Sequence, residues 1–122
     1  MADIRVLIVD DVERVRQDLC TFLTLTGGIE IVGEASNGLE AIRLTESLQP
    51  DVVLMDLEMP VLDGYEAARQ IKTRFSPCKV IALTVHDYES ARVKAHESGV
   101  DAFLVKGASV ESIVQTISKQ KE

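Results

Sequence analysis

Val52-Val53-Leu54-Met55-Asp56-Leu57-Glu58-Met59-Pro60-Val61-Leu62-Asp63-Gly64 is the stretch whose reading decides the fold. Its first four residues are apolar without alternation, the signature of a strand buried on both faces. Such strands belong to parallel sheets covered by helices on either side. Asp56 stands where the strand emerges, since a charge inside so short a run is rarely tolerated, and a loop punctuated by Pro60 and Gly64 follows at once. In open parallel sheets the crevice beyond the carboxyl ends of the strands is where ligands bind.

Working outward, further runs of strand length occur at Ile4–Val9, Glu30–Ala35, Lys79–Leu83 and Ala102–Val105, and segments of helical spacing lie between them. The first helix follows Asp10 or Asp11 and places Val12, Val15, Leu19, Phe22 and Leu23 on one face. The second opens at Ser36-Asn37, carries Ala41, Ile42 and Leu48, and stops before Pro50. The third begins at Asp63, with Tyr65, Ala68 and Ile71 inward. Asn37 with Glu40, and Asp63 with Glu66, have capping-box spacing. The fourth, Asp87 to Ser98, offers only Tyr88, Ala91 and Ala95 as an inner face, and small residues bury little area, so it is the least firmly held. The last runs from Ser109 with Val110, Ile113, Val114 and Ile117. Five β/α units in alternation call for an α/β domain with a doubly wound five-stranded parallel sheet and five helices. A single domain over residues 1–122 is expected, with 118–122 a polar tail or the start of a linker.

The composition narrows the function. With 122 residues, 46% hydrophobic and 27% charged, the chain is typical of one soluble domain. No apolar run reaches the roughly 18 residues of a membrane span, and no basic segment precedes the first apolar run. A cytoplasmic protein is the expectation. A formal charge of −7 argues against direct contact with nucleic acid, whose backbone is gripped by Lys and Arg. Cys20 and Cys78 suit small buried hydrophobes better than a disulfide or metal site.

Three other segments deliver polar groups to the same edge as Asp56. Asp10 and Asp11 leave the first strand, Thr84 the fourth and Lys106 the fifth. Each of Asp10 and Asp11 also suits a helix N-cap, Glu13 completing a capping box with Asp10. Three carboxylates on adjacent strands about 5 Å apart repel one another. A hard dication removes the conflict, and Mg²⁺ prefers oxygen ligands of this kind. Lys106 is a point cation able to approach an anion at Asp56, and the Thr84 hydroxyl can donate to a newly arrived oxygen. A carboxylate, a dication, a lysine and a hydroxyl are the parts required for phosphoryl transfer to Asp56.

These pieces resemble a two-component response-regulator receiver domain over essentially the whole chain. The matching segments are Val6-Leu7-Ile8-Val9-Asp10-Asp11, Asp56 through Gly64, Ile81-Ala82-Leu83-Thr84, and Gly99-Val100-Asp101-Ala102-Phe103-Leu104-Val105-Lys106. The resemblance implies a flavodoxin-like fold of strand order 2-1-3-4-5. It implies Asp56 as phosphoacceptor, served by Lys106 and Thr84, and Mg²⁺ held by Asp11, Asp56 and the backbone carbonyl of Glu58, with Asp10 acting through bound water. Thr84 and the aromatic Phe103 would form the switch. The donor would be a sensor histidine kinase, and the only catalysis that of the domain's own phosphorylation and dephosphorylation. Ile29-Glu30-Ile31-Val32-Gly33-Glu34-Ala35 and Lys106-Gly107-Ala108-Ser109 resemble the subfamily with a LuxR-type helix-turn-helix output domain, which would bind DNA and control transcription from outside this chain. Homodimerisation on activation is a further implied partnership; no membrane partner is implied.

Some positions depart from the pattern. Gly107 replaces a frequent proline, leaving the peptide geometry after Lys106 open. Val85 replaces a small residue and is expected to crowd the site. Glu58 and His86 flank the site where they could tune access of water. A flavin carrier on the same fold would need a hydroxyl-rich loop where Asp10-Asp11-Val12-Glu13 stands. An aspartate-based phosphatase would need Asp at the place of Glu58. A stand-alone or degenerate receiver acting by protein–protein contact is the remaining alternative.

Overall fold

In the computed structural model, which describes residues 3–85 and 87–121, Val52–Asp56 forms β3, every residue of it buried. The elements in chain order are β1 (Ile4–Val9), α1 (Glu13–Leu25), β2 (Ile29–Ala35), α2 (Gly38–Leu48), β3, α3 (Gly64–Arg74), β4 (Lys79–Thr84), α4 (Glu89–Glu97), β5 (Ala102–Val105) and α5 (Val110–Lys119). The strands are parallel in the order β2-β1-β3-β4-β5. The expected flavodoxin-like arrangement is therefore the one observed, with β3 extending one residue further than expected, to include Asp56, and β4 likewise to include Thr84.

Alternate residues of the inner strands feed two cores, as the two-residue period of a strand dictates. Leu7, Val9, Val53, Met55 and Val80 pack with Ala41 and Ile42 of α2 and Ala67, Ala68 and Ile71 of α3. Val6, Ile8, Val52, Leu54, Ile81 and Leu83 pack on the other side with Leu23 of α1 and Ile113 and Ile117 of α5. A smaller cluster of Leu57, Tyr65, Ala82 and Ala95 lies under α4. Among the residues of α4 only Ala91 and Ala95 are buried, so little apolar area anchors it. β5, at the sheet edge, is half-buried throughout.

Two of the three expected capping boxes supply their N-cap bonds. Asn37 Oδ1 accepts from the Glu40 amide and Asp63 Oδ1 from the Glu66 amide, each at 2.9 Å. Ser109 does the same for Ser112 at 3.1 Å. Four expectations fail. Asp10 does not cap α1: Val12 occupies the N-cap without a side-chain bond, and Asp10 Oδ1 instead accepts from the Val12 amide at 2.9 Å, closing a local turn. Val12 and Phe22, assigned to the inner face of α1, are exposed, because the sheet contacts the stripe through Leu19, Cys20 and Leu23 instead. Tyr88 is likewise exposed and precedes α4. Residues 118 and 119 lie in the last turn of α5 rather than in a tail, and Lys121 bonds Asp51 at 3.1 Å. The Asp51 carboxylate also accepts from the Arg5 amide at 2.9 Å, tying the amino ends of β1 and β3 together.

Candidate functional site: an acidic rim closed by one lysine

Register brings the site together. Val9 pairs with Met55, so Asp10, just past the end of β1, and Asp56, the last residue of β3, emerge side by side. Thr84 pairs with Val105, which sets Lys106 just past the end of β4. The Lys106 amide donates to the Thr84 carbonyl at 2.6 Å, turning the chain over that strand end. Its ammonium then reaches back across β4 to contact Asp10 Oδ2 at 2.8 Å and Asp56 Oδ2 at 3.3 Å. Asp10 and Asp56 are almost fully buried, whereas Asp11 is exposed. One carboxylate oxygen from each of Asp10, Asp11 and Asp56 falls within 4.8 Å of the others.

The electrostatics follow from that crowding. Burial pushes the Asp56 carboxyl above the ordinary aspartate value; the Glu58 amide and Lys106 pull it back and Asp10 raises it further. For Lys106 burial acts downward, but the hydrogen bond to Asp10 and the charge of Asp56 more than offset it, and the ammonium is held more tightly than usual. Asp56 Oδ1 accepts the Glu58 amide at 3.1 Å, which sets the Glu58 peptide against the carboxylate, while the Glu58 side chain is exposed. The donor set is all oxygen, clustered and anionic, and fits a hard dication such as Mg²⁺.

The loop after β3 is shaped for this purpose. Gly64 opens α3 so close to the strand end that a Cβ there would lie 2.3 Å from the Asp56 carbonyl oxygen and 2.5 Å from Leu57 Cα. The residue type is therefore dictated by proximity to the acidic site. Val61, a β-branched residue at φ 70°, centres a three-residue turn in which the Leu62 amide donates to the Pro60 carbonyl at 2.9 Å. Such a conformation costs about 1–3 kcal/mol and persists only where surroundings enforce it.

Thr84 is buried at the end of β4. Phe103 is half-buried on β5, its ring 4.6 Å from the Arg92 guanidinium carbon, and Arg92 Nε also donates to Asp87 Oδ1 at 2.6 Å. Val85, expected to crowd the site, is 63% exposed. His86 lies outside the described residues. Every peptide bond among the described residues is trans, and Gly107 takes φ 98°, a conformation suited to glycine. A groove of about 450 Å³ lined by Glu58, Pro60, Tyr65 and Lys94 borders the loop without including the carboxylates, which form an open rim instead of a cavity. Sequence reasoning missed Arg16, whose Nη1 donates to the Asp10 carbonyl at 2.6 Å. Nothing in the spacing of Arg16 marks a side chain that turns back to the helix entrance.

A parallel five-stranded sheet carrying an acidic rim and a bridging lysine defines a signalling domain of known type: the chain belongs to the response regulator receiver domain family, which matches residues 6–118. Receiver domains are signalling switches, not classical enzymes, and generally bind Mg²⁺. Among curated relatives it is similar to response regulator protein VraR of Staphylococcus saprophyticus, 39% identical over 116 residues. It is also similar to VraR of Staphylococcus aureus strain Mu3, at 40% over 116 residues. These alignments cover 95% of this chain and 56% of each relative, so the chain spans little more than half their length. Among solved structures, the receiver domain of the putative response regulator NarL from Mycobacterium tuberculosis superposes with a TM-score of 0.94 at 30% identity, covering 98% of this chain and 96% of that one. A LuxR-family DNA-binding response regulator from Staphylococcus aureus gives 0.91 at 34%, covering 97% and 98%. No helix among the described residues is long and apolar enough to cross a membrane.

Proposed function

We propose that Asp56 accepts a phosphoryl group from the phosphohistidine of a sensor histidine kinase in the cytoplasm, and that the resulting acyl phosphate drives a change of surface. The observation that carries this reading is the single Lys106 ammonium held between Asp10 and Asp56, with a third carboxylate alongside. An Asp56 carboxylate oxygen forms the new bond to phosphorus as the bond to the donor imidazole nitrogen breaks; the electron pair stays on that nitrogen, which takes a proton from solvent. Asp11, Asp56 and the Glu58 carbonyl would hold Mg²⁺, with Asp10 acting through water, and the ion would offset charge on the transferring group. Lys106 exchanges one of its two carboxylate contacts for a phosphoryl oxygen. The open rim suits a donor presented by another protein.

Phosphorylation adds about −1.5 to −2 charges and three acceptor oxygens to the end of β3. Thr84 donates its hydroxyl to one of them and moves inward, and Phe103 turns into the space behind it. α4, anchored by two alanines, follows. Taking such an equilibrium from mostly off to mostly on requires about 5.5 kcal/mol of differential interaction, within reach of a few charge-assisted hydrogen bonds. The changed α4–β5–α5 surface then directs homodimerisation and DNA binding through an output domain of the LuxR type.

Incubation with a small acyl phosphate and Mg²⁺, read by intact mass, tests the chemistry. One phosphoryl group is expected on the wild type and none on Asp56→Asn. A variant that still gained the group would move the acceptor elsewhere.

A further inference from the structure

Arg16 lies on the first turn and a half of α1, at a position where solvent-facing arginines are unremarkable, yet its side chain is only 15% exposed. The guanidinium spans two elements. Nη1 donates to the Asp10 carbonyl oxygen at 2.6 Å and Nε meets Glu34 Oε1 of β2 at 3.2 Å. The carbonyl it holds belongs to the peptide joining Asp10 to Asp11, so fixing that oxygen fixes the plane from which the Asp11 side chain departs. The other side of the same turn is pinned by the Val12 amide on Asp10 Oδ1. The Asp10 amide donates to the Ala35 carbonyl at 3.0 Å, and Lys106 holds Asp10 Oδ2. Asp10 is thus restrained on every side. Asp11, exposed to solvent, acquires its direction through the peptide behind it.

We propose that Arg16, braced by Glu34, is a positioning residue for the cation site: it aims the Asp11 carboxylate by holding the Asp10–Asp11 peptide, and so sets the affinity for Mg²⁺. This rests on the proposed function above. The sign of its effect separates it from simple electrostatics. A guanidinium near a divalent cation repels it, so the field of Arg16 alone weakens binding and its removal should tighten binding. Positioning acts the other way. Side chains that orient metal ligands through hydrogen bonds are worth about 10- to 100-fold in metal affinity, and an arm acting through a peptide plane belongs at the lower end, about 10-fold.

The test compares wild type, Arg16→Ala and Arg16→Lys. Mg²⁺ affinity is measured by calorimetry on the unphosphorylated protein, alongside thermal unfolding in EDTA and the Mg²⁺ midpoint for phosphorylation by a small acyl phosphate. Alanine preserves helix propensity, so α1 is not weakened by the change itself. Arg16→Ala is expected to bind Mg²⁺ about 10-fold more weakly. Arg16→Lys keeps the charge but reaches one partner at a time, and should lose about 3-fold. The Mg²⁺ midpoint for phosphorylation should rise in the same order, Arg16→Ala above Arg16→Lys above wild type. Affinity unchanged or tightened in Arg16→Ala overturns the inference whatever the melting temperature does. Should that variant not fold, unchanged affinity in Arg16→Lys overturns it equally. A wild type that binds no Mg²⁺ removes the reading of the site itself, a failure told apart because all three proteins would then give the same flat titration.

Discussion

Replacing Asp56 by asparagine should stabilise the metal-free protein, although the change removes the proposed phosphoacceptor. The magnitude follows from the geometry. At an effective dielectric of about 20, charges 4.8 Å apart interact by about 3.5 kcal/mol. At 3.3 Å, the Lys106–Asp56 separation, the figure is about 5 kcal/mol. The attraction of Lys106 outweighs the repulsion from Asp10, and solvent around exposed Asp11 weakens its share, so the charges of the rim come close to cancelling at Asp56. Burial of the Asp56 carboxylate is the larger cost and the first cause of its raised pKa. Asparagine is nearly isosteric and keeps an oxygen for the Glu58 amide. A gain of about 1–2 kcal/mol is expected, about 4–8 °C in Tm for a domain of this size. Thermal unfolding followed by circular dichroism in EDTA at neutral pH measures it. The pH dependence has a definite sign. An acid whose folded pKa is raised costs nothing below its unfolded value near 3.9 and its full penalty above the folded one. The advantage of Asp56→Asn should thus be complete at neutral pH and fade as acid carries the solution down through that window. Millimolar Mg²⁺ should stabilise wild type more than the variant. A variant less stable than wild type in EDTA at neutral pH would show that Lys106 and the Glu58 amide over-compensate burial and the Asp10 charge together, and would refute this account of the rim.

Two other substitutions probe how the site is built. Gly64→Ala forces a Cβ against the Asp56 carbonyl and Leu57 backbone, which cannot yield as a side chain would. It should cost about 3 kcal/mol in urea unfolding and impair phosphorylation, whereas Gly107→Ala, with open space but φ 98°, should cost about 1 kcal/mol. Equal losses would argue against the close approach at Gly64. Arg92→Ala removes the guanidinium that covers the outer face of Phe103 and ties it to Asp87. A half-exposed contact of this kind is worth about 0.5–1 kcal/mol, so phosphoryl occupancy at limiting donor should rise about 2- to 5-fold. Unchanged occupancy, with unchanged Phe103 ring contacts by NMR, would remove Arg92 as a restraint on the switch.

Element order, the burial of the central strand, the caps at Asn37 and Asp63, and the set of side chains that would leave the sheet at its carboxyl edge were all legible in the sequence. These are local properties: strand burial, periodicity and capping depend on neighbours within a few residues. The resemblance of four short segments to receiver domains supplied the strand order, which no local pattern encodes. Only the tertiary structure decided which face of α1 the sheet would cover, leaving Val12 and Phe22 outside, since a helix with apolar residues on several sides is oriented by what it packs against. It alone set Asp10 to closing a turn instead of capping a helix, joined Lys106 to two carboxylates, and turned Arg16 back onto the Asp10 carbonyl. Those outcomes depend on strand register and on the reach of long side chains across it, distances that exist only once the sheet has formed.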